Sequence, residues 1–571
     1  MFDKFEKAVL NGIQSSGQRK LILYGTLVAF ILSILMIAPS KMVLAKMLPG
    51  KDNDTFNIYV TLATGSSISQ TAEVTSCVSS FVVQEKDVVD TEVFLGMGSP
   101  LDFAGLIKGS QFKNSENVAE IVLNITAKHH RTEPSYMMVQ RLRPTIQNAC
   151  EKLYPETRIS FVEPPAGPPT MAAVVAEIYG SDADGIRKLA LRVSDLFKHT
   201  DGLVDIDIMQ DQVFETFEIV VNSTKVAKSG VDIEQLNNII YLAFEGMEIA
   251  VKNSEKFNDQ VPIYLSLSRE SKSFTSKDIN SIKSKLSSLK LMNRMGMMIP
   301  ITEIVTIAPK ESNPMIVSKN LHQMTNVMAE TDMVSQVYPL MAARNVILDT
   351  FTDIYEIEKI GLFNLKLTDK ETSKVYKLIW DGEMEVTLDT FVELGAAFIA
   401  ALILIFLLMV IYYKSYTLSG IILLGSFLSI IGVIVGHWIM DVFTTDTFFL
   451  TATSLIGFIA LIGISSRNSL LLIDFAKSLM IDKGMHQAEA IAYSTATRAK
   501  PIFLTAVAIM LASTLLAGDA VFGGLGVALI FGTVAAVVSS LIIVPVLLNM
   551  SDLEAHFGFT EKKAVSVNDP L

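Results

Sequence analysis

The sequence contains little cysteine, no excess of positive charge and no recognisable nucleotide-binding motif. Only two of its 571 residues are cysteines, Cys77 and Cys150, which excludes a disulfide framework and a thiolate metal site. The net charge of −12 argues against nucleic acid and anionic lipid as partners, because both require a basic surface. Without a phosphate-binding loop, a nucleophile elbow or a zinc signature, we expect no enzymatic activity, no cofactor and no metal. Energy is then expected from an ion gradient and not from ATP.

Apolar residues, by contrast, are abundant. They make up 50% of the chain and give a mean hydropathy of +0.42, typical of a membrane protein, while the 19% of charged residues require a large part in water. Six apolar runs are long enough to cross a hydrocarbon core of about 30 Å. They are Leu21–Ala38, Phe391–Tyr413, Leu418–Met440, Phe448 to about Phe475, Pro501–Ala517 and Phe522–Leu548. The first could be a cleaved signal peptide, but its long charged leader and the following Pro39 favour a retained span.

The charges between the spans alternate in sign along the chain. Basic residues occupy every second loop and the tail, whereas the remaining loops carry only acidic ones. The basic set is Lys414, Lys477, Lys483, Arg498, Lys500, Lys562 and Lys563, and the acidic set is Asp441, Asp446 and Asp519. By the positive-inside rule the basic side is cytoplasmic. We therefore predict a protein of the bacterial inner membrane with both termini in the cytoplasm and residues 40–390 in the periplasm.

The long segment between the first two spans has its own order of elements. Between residues 56 and 162, apolar periods of 2 and 3.6 alternate as β-α-β-β-α-β, the split βαβ or ferredoxin-like plan. A proline-rich linker at 163–169 precedes a second such unit, which an insertion at about 215–308 interrupts. The predicted fold class is an α+β membrane protein with six transmembrane helices and two periplasmic ferredoxin-like subdomains. The second subdomain carries an inserted docking-type α+β domain.

The same reading predicts five regions along the chain. They are the cytoplasmic N-terminus and first transmembrane helix (1–39), the first subdomain (40–165), the second subdomain with its insertion (166–390), the five-helix bundle (391–550) and a cytoplasmic tail (551–571).

Three motifs carry a resemblance to a known family. WDGEME at 380–385 precedes the second span, GISSRNSLLLIDF at 463–475 lies in the fourth, and RAKPIFLTA at 498–506 begins the fifth. In this order they resemble the eighth, tenth and eleventh helices of RND (resistance–nodulation–division) exporters. The chain is thus similar to the carboxyl-terminal half of such a pump. It lacks the first half with its pair of intramembrane aspartates, and Arg467 stands where the family commonly has lysine.

The resemblance implies a function and a set of partners. The chain would be half of a pump that the proton-motive force drives, moving drugs and other hydrophobic or amphiphilic compounds out of the periplasm or inner membrane. It would pair with a complementary N-terminal half, act with a periplasmic adaptor (membrane fusion) protein and an outer-membrane channel, and assemble as a trimer. The alternatives are a soft-metal or lipid exporter, or a periplasmic sensor or assembly factor that no longer transports. Co-purification with a complementary half would distinguish a transporter from a sensor.

The resemblance also implies a proton relay of five residues: Arg467, Asn468, Asp474, Arg498 and Thr505. Arginine does not titrate in proteins, so Arg467 can act only as a fixed cation that stabilises nearby carboxylates. Arg467 and Asp474 are seven residues apart and share a helix face, as do Arg498 and Thr505. Asp474 lies near the membrane surface, so the carboxylates are expected from the missing half. The structural alternatives are an interhelical strut for Arg467, a cytoplasmic anchor for Arg498 and a helix-packing hydroxyl for Thr505.

Two groups of histidines receive structural interpretations. His437 lies near the outer end of its span beside Trp438 and is expected to be an interfacial anchor. His129 and His130 lie at a strand-to-helix turn without further ligands at suitable spacing, so a solvated turn is expected there.

The sulfur-containing residues are also interpreted structurally. Four methionines, at 292, 295, 297 and 298, hint at soft-metal binding, but their position before a strand favours packing. Cys77 and Cys150 each lie toward the carboxyl end of a helix. Because these helices run antiparallel in the split βαβ plan, we expect the two thiols to be far apart and free.

The predicted topology can be tested with introduced cysteines. A cysteine at Ser271 should react with an impermeant maleimide added from the periplasm, because 40–390 is predicted outside. A cysteine at Gly484 should react only from the cytoplasm. The parent chain supplies the background labelling, and reversal of either result would contradict the six-span topology.

Overall fold

The structure is a computed structural model that describes residues 2–37, 40–47, 50, 52–100, 105–106, 113–164, 167, 170–209, 213–253, 255–256, 260–272, 278–312, 314–332, 334–444, 447–519, 521–551 and 553. Most of the predicted linker at 163–169 and of the tail at 551–571 lies outside the described residues, as do Ala38 and Pro39. The chain divides into two compact units, residues 1–210 with 316–571, and Asp211–Met315. The second unit contains the insertion that the sequence predicted at about 215–308.

The amino-terminal part of the chain begins with two helices and continues into a four-stranded sheet. Its elements are α1 (Phe2–Gln14), α2 (Ser16–Ile37), β1 (Thr55–Thr61), α3 (Ile68–Val82), β2 (Val88–Met97), β3 (Asn114–Ile125), α4 (Ser135–Cys150), a 3₁₀ turn (Glu151–Leu153) and β4 (Arg158–Val162). The strand order β2-β3-β1-β4 is that of a split βαβ unit. Alternate residues of β1 and β3, among them Ile58 and Ile121, point at the two helices and are fully buried.

A second sheet of the same unit follows. Its elements are β5 (Val174–Tyr179), α5 (Ala183–Lys198), β6 (Leu203–Ile208), β13 (Val317–Lys319), β14 (His322–Thr331), α10 (Val337–Thr350), a 3₁₀ turn (Phe351–Asp353), β15 (Tyr355–Ile360), β16 (Asn364–Asp369) and β17 (Val375–Asp381). Strand β14 pairs with β6 and β5, and β5 pairs with β17, which repeats the order of the first sheet. Helix α10 ends at Thr350, and Tyr355 and Glu356, shortly after it, already pair with β16.

Asp205 joins the two subdomains. Its carboxylate accepts hydrogen bonds from Arg143 Nε (3.1 Å), Gln147 Nε2 (3.0 Å) and the backbone N–H of Phe161 (3.1 Å), all from the first subdomain. Burial raises the pKa of the Asp205 carboxyl, while the Arg143 guanidinium and the Phe161 N–H act in the opposite direction. This interaction fixes α4 and β4 of the first subdomain to β6 of the second.

The inserted unit has its own core. Its elements are β7 (Glu215–Val221), α6 (Ser223–Ser229), α7 (Ile233–Phe244), β8 (Met247–Lys252), β9 (Val261–Leu265), α8 (Arg269–Lys272), α9 (Ile279–Leu286), β10 (Lys290–Met292), β11 (Met298–Pro300), a 3₁₀ turn (Ile301–Glu303) and β12 (Val305–Glu311). The strands form three antiparallel pairs, β7 with β12, β8 with β9 and β10 with β11. Leu236, Leu286 and Ile301 are buried between them.

Within the described residues, six helical segments are long and apolar enough to cross a membrane, as many as the sequence predicted. After α2 they are α11 (Glu383–Tyr413), α12 and α13 (Tyr416–Phe427 and Ile430–Phe443), α14 (Ala452–Lys483), α15 (Gln487–Ala517), and α16 and α17 (Gly523–Val538 and Val544–Met550) with a π turn at Ser539–Ile543. Several extend beyond their apolar runs. The fifth, predicted to begin at Pro501, begins at Gln487 because its polar first half also packs against the other helices.

The cysteines do not remain free. Cys77 and Cys150 form a disulfide with a Cα–Cα distance of 5.9 Å, so the prediction of two free thiols was wrong. The helices α3 and α4 do run antiparallel, as expected from the split βαβ plan. The error lay in their relative displacement along the axis.

Two side-chain contacts show this displacement. Tyr154 donates a hydrogen bond to Glu73 near one end of the helix pair, and Arg141 forms an ion pair with Glu85 (2.7 Å) near the other. In an antiparallel pair, the numbers of facing residues have a nearly constant sum. This sum is 227 for Tyr154 and Glu73, and 226 for Arg141 and Glu85. The same register places Cys77 opposite Cys150, whose sum is 227. The middle of α3 therefore lies beside the end of α4.

The disulfide should contribute strongly to the stability of the first subdomain. It closes a loop with a sequence separation of 73 residues, for which the chain-entropy estimate is about 4 kcal/mol. Replacing Cys77 by serine should lower the free energy of unfolding by about that amount, measured by denaturant unfolding of the purified chain. The double replacement of both cysteines serves as control and should cost no more than the single one, because either removes the same bond. Labelling of both cysteines with maleimide in denaturant without reductant would contradict the disulfide.

Candidate functional site

Arg467 lies in the middle of helix α14. It is the sixteenth of the helix's 32 residues, which places its Cα about 22 Å from the first residue at 1.5 Å per residue. The side chain is exposed at the surface of the bundle, while its neighbours Ser466 and Asn468 are buried. The guanidinium is therefore at mid-depth of the span, on the face that the other described helices leave uncovered.

This uncovered face continues along α14 as a stripe. Up to Leu471 its exposed positions recur every three or four residues, and the two that precede the arginine are small. The exposed positions are Ile456, Ala460, Gly463, Arg467, Leu471 and, two turns further on, Ser478. Small residues allow another helix to approach closely in a membrane. The stripe has the composition of a helix-packing face with one charge at its centre.

Arg467 has no carboxylate partner in the part of the chain that the structure describes. No ion pair or hydrogen bond of its guanidinium occurs there, in contrast to Arg131, Arg141 and Arg143 of the first subdomain, which all have acidic partners. A charge at the centre of a bilayer costs about 3 kcal/mol on insertion scales and is normally paired or turned toward water. An unpaired cation at this depth requires a counter-charge from outside the described bundle.

Asp474 does not supply that counter-charge. Its carboxylate accepts hydrogen bonds from the hydroxyls of Tyr413 (3.0 Å) and Tyr412 (3.2 Å), at the carboxyl end of α11. Although Arg467 and Asp474 share a face, seven residues separate them by about 10 Å along the axis. Glu393, the acidic residue of α11 nearest its middle, also makes no contact with Arg467. In this structure Asp474 links α14 to α11.

The Cα atom of Arg498, on α15, lies at nearly the same depth as that of Arg467, but its guanidinium extends toward Phe475. Ser494 Oγ donates to the carbonyl of Leu472 (2.7 Å), which fixes the antiparallel register of α14 and α15, and one turn further along Arg498 is level with Asn468. Its guanidinium lies over the ring of Phe475 at 5.2 Å, and its Nε has no hydrogen-bond partner among the described residues. A cation–π contact stabilises the charge but does not neutralise it.

Thr505 is exposed on the same helix. Its hydroxyl donates within α15, to the carbonyls of Ile502 (2.9 Å) and Pro501 (3.1 Å), so it contacts none of the other four predicted relay residues. Only 17% of the apolar stretch of α15 is buried, compared with 56% of that of α14. Thr505 thus belongs to a second face that the described helices leave open.

Asn468 points in the opposite direction, into the bundle. It is buried with Ser465, Ser466 and Ser469, and the hydroxyls of Ser465 and Ser469 lack hydrogen-bond partners in the described region. These side chains give α14 a polar interior beside its mid-depth cation. The sequence motif at 463–475 therefore divides between two faces of one helix, with the charge outside and the small polar groups inside.

His437 is a correction to the sequence analysis. It is fully buried, and not an interfacial anchor: its Nδ1 bonds to the carbonyl of Val433 (2.7 Å) and its Nε2 to Ser454 Oγ (2.8 Å). Because a carbonyl can only accept, Nδ1 carries the proton and Ser454 donates to Nε2. The histidine links α13 to the first turn of α14. His437 is four residues after Val433 and so lies on the same buried face of α13. Hydropathy alone does not identify this face.

The turn with His129 and His130 shows a mixed outcome. Both imidazoles are exposed, as expected of a solvated turn. The neighbouring Arg131 is buried and forms ion pairs with Asp52 and Asp54, so this part of the turn is a structural anchor. Among the described residues, no group of three or more His, Cys, Asp or Glu side chains could hold a metal ion.

The structure thus groups only some of the predicted relay residues. The Cα atoms of Arg467 and Arg498 lie at a common depth, Asp474 is held by tyrosines at the carboxyl end of α11, and Thr505 lies apart. The sequence analysis missed Tyr412 and Tyr413. Two adjacent tyrosines at the end of a span, just before a lysine, are typical of a membrane interface, and this pattern could have indicated a partner for Asp474.

Together these features define a class of protein. The described part of the chain has six helices long and apolar enough to span a membrane, a large α+β region apart from them and an arginine at mid-depth of the helix bundle, as in transport proteins that use intramembrane charges. The sequence profile of the AcrB/AcrD/AcrF family (ACR_tran) matches residues 1–551, and the chain belongs to this family of RND permeases. The predicted family is confirmed.

Individual relatives agree with this assignment. The chain is 22% identical over 468 residues to protein HelA of Legionella pneumophila, a match that covers 80% of this chain and 41% of HelA. It is 28% identical over 149 residues to the multidrug export protein AcrF of Escherichia coli K12, covering 25% of this chain and 14% of AcrF. A crystal structure of a heavy metal efflux pump has the same fold, with a TM-score of 0.71 and 18% identity over 96% of this chain. The chain spans about half the length of that pump, 51%.

The tyrosine contacts of Asp474 can be tested by stability. Tyr413→Phe removes a hydrogen bond to a charged group, which should lower the free energy of unfolding by about 1.5–3 kcal/mol. Tyr416→Phe is the matched control, because this tyrosine is 75% exposed and its hydroxyl has no hydrogen bond within the described residues. Unfolding of the purified chain in mixed micelles measures both. Equal stability of the two variants would show that Asp474 does not depend on Tyr413.

Proposed function

We propose that this chain is one half of an RND export pump that the proton-motive force drives, and that it moves drugs and other hydrophobic or amphiphilic small molecules out of the periplasm or inner membrane. The observation that carries the proposal is Arg467, a cation at mid-depth without an acidic partner among the described residues, on a helix face that the described bundle leaves uncovered. Such a face is stable in a membrane only when it is covered by groups that neutralise the charge.

The covering element is the complementary half of the pump, as a separate subunit or as another part of a longer chain. Its intramembrane carboxylates would lie against Arg467, which favours their ionised form. When protons bind these carboxylates, the ion pair is lost and the arginine is released. Because the guanidinium keeps its charge throughout, the cycle moves protons on the partner's acids while Arg467 alternates between bound and free states.

Arg498 extends the same arrangement toward the cytoplasm. Its Cα atom is level with Asn468, and its partly buried guanidinium lies over Phe475, so it provides a second cation between Arg467 and the carboxyl end of α14. Asp474, bonded to Tyr412 and Tyr413, stands further toward the cytoplasmic end of the same face. We assign Arg498 and Asp474 to the cytoplasmic exit of the relay, and Asn468 and Thr505 to hydrogen bonding along it.

The remaining parts of the proposal follow from family membership. The location is the inner membrane, with both termini cytoplasmic and the two sheets and the inserted unit in the periplasm. The pump would be a trimer that works with a periplasmic adaptor and an outer-membrane channel. The match to a multidrug export protein over a quarter of the chain supports small organic molecules as cargo.

A second candidate function is soft-metal export. The fold match to a heavy metal efflux pump favours it, as do the exposed methionines of the inserted unit. The two candidates differ in cargo and share the proton relay. Dye efflux and silver tolerance, measured in the same cells, separate them.

The relay predicts a graded response to substitution at Arg467. Cells expressing the chain with a first half that bears intramembrane acids should expel dye, whereas Arg467→Met should abolish efflux because the carboxylates lose their counter-charge. Arg467→Lys should retain part of the activity, since lysine keeps the charge but loses the planar fork. Expressed without the first half, the chain should be unstable or inactive.

The control is Leu471→Met, one turn away on the same stripe, which changes shape without changing charge. It should leave efflux and membrane levels close to those of the parent chain. Undiminished efflux in Arg467→Met, or full efflux from the chain alone, would mean that Arg467 is only a strut and that the relay lies elsewhere.

A further inference from the structure

The methionines at 292, 295, 297 and 298 are not packed in the core of the inserted unit. Their side chains are exposed by 62%, 77%, 54% and 57%, so the packing role expected from the sequence is wrong. Exposing four large apolar side chains in one short hairpin gains nothing from the hydrophobic effect. The thioether sulfurs, which are soft metal ligands, remain as the chemically distinctive groups of this surface.

Strands β10 and β11 place two of these methionines side by side. Met292 and Met298 are directly opposite each other in the antiparallel register, so their side chains project from the same face of the hairpin. Cβ atoms of such a pair are about 5 Å apart, within the range that two flexible thioether side chains need to share one ion. The strand pairing therefore places two potential sulfur ligands next to each other.

A third methionine faces the same space. Met247, at the start of β8, lines a groove of about 540 Å³ together with Met292 and Met298. Polar side chains from α7 and β10 border the groove, at Gln235, Asn238 and Lys290. Three thioethers around one groove match the low coordination number and soft donors that monovalent copper and silver prefer.

The hairpin that carries these ligands has a fixed conformation. Asn293 is buried, and its Oδ1 accepts hydrogen bonds from the backbone N–H groups of Met295 (3.0 Å) and Met297 (2.9 Å). Its Nδ2 donates to the carbonyl of Ser229 (3.1 Å), which attaches the turn to α6. Gly296 has a φ of +82°, so the turn requires a residue without a side chain there. The hydrogen bonds of Asn293 and the turn at Gly296 therefore hold the backbone that carries the methionines in one conformation.

From this geometry we propose a binding site for a soft monovalent cation, Cu(I) or Ag(I), formed by the thioethers of Met247, Met292 and Met298. Thioethers are neutral, so the site binds a cation of low charge and leaves divalent ions such as Zn²⁺, which prefer nitrogen, oxygen or thiolate ligands, in solution. The site does not depend on proton coupling. It lies within the inserted unit and would bind metal even if the chain were a sensor and not a transporter.

Ag(I), which does not change oxidation state, tests the site in the purified full chain in detergent. We expect binding of one Ag(I) by calorimetry and mass spectrometry in buffers without thiols or chloride. Because both cysteines are in a disulfide, no thiolate of the chain competes. Thioethers do not titrate, so the affinity should be the same at pH 5 and pH 8, whereas a histidine site would weaken at pH 5.

Substitution and protection identify the ligands. Met292→Leu and Met298→Leu should each lower the affinity by at least about ten-fold, the effect of removing one ligand of a small site. Met341→Leu, a 44% exposed methionine on α10, is the matched control and should change nothing. Bound Ag(I) should also protect Met247, Met292 and Met298 from oxidation to the sulfoxide, while Met295 and Met341 oxidise as before. This second measurement uses the unmodified chain and so does not depend on how a variant folds.

Absence of Ag(I) binding, loss of affinity at pH 5, or equal protection of all five methionines would each overturn the proposal. In the first case the exposed methionines would act as an adaptable apolar surface and not as ligands.

Discussion

A permanent positive charge halfway through an apolar helix is the constraint on which the membrane part of this protein depends. Arg467 cannot lose its proton, and at the middle of α14 it cannot reach water by extending its side chain along the helix. The helix compensates on one side only, by turning Asn468 and three serines inward and leaving the arginine outward. The bundle therefore exposes at its surface the charge that costs the most free energy to place in a bilayer, and this arrangement is stable only if that surface is an interface.

The region outside the membrane follows a different constraint, the repetition of one strand order. Both sheets place the third strand between the first and second and the first beside the fourth. The insertion interrupts the second copy between β6 and β14, which are adjacent in the sheet, so their pairing brings the ends of the inserted unit back together. Long additions at such a connection are tolerated because loop closure costs free energy only slowly with length. The inserted unit could thus acquire its own core and its own surface chemistry without disturbing the sheet.

Sequence patterns predicted the elements of this fold well and their mutual placement less well. The apolar runs specify six spans because a bilayer imposes a minimum length, and the alternation of strands and helices specifies both sheets. The disulfide was missed because the displacement of α3 relative to α4 depends on contacts such as Arg141–Glu85, which no periodicity encodes. His437 and the methionines were misassigned for a related reason. Hydropathy ranks a residue by its type, whereas burial depends on which face the neighbouring elements cover.

The candidate relay illustrates how far a motif can be resolved without its partner. The motif at 463–475 identified α14 and its cation, and the sequence analysis grouped its polar residues in a single relay. In the structure these residues lie apart: Asn468 and the serines face inward, Arg467 faces outward, and Asp474 bonds to α11. Charge accounting explains why the five residues do not form a closed site. Among the five residues, two arginines stand against a single carboxylate, that of Asp474, which leaves an excess of one positive charge. A proton relay needs groups that titrate, and Arg467, Arg498, Asn468 and Thr505 do not. Our proposal therefore treats the two arginines as fixed charges and assigns the groups that exchange protons to a partner that faces Arg467.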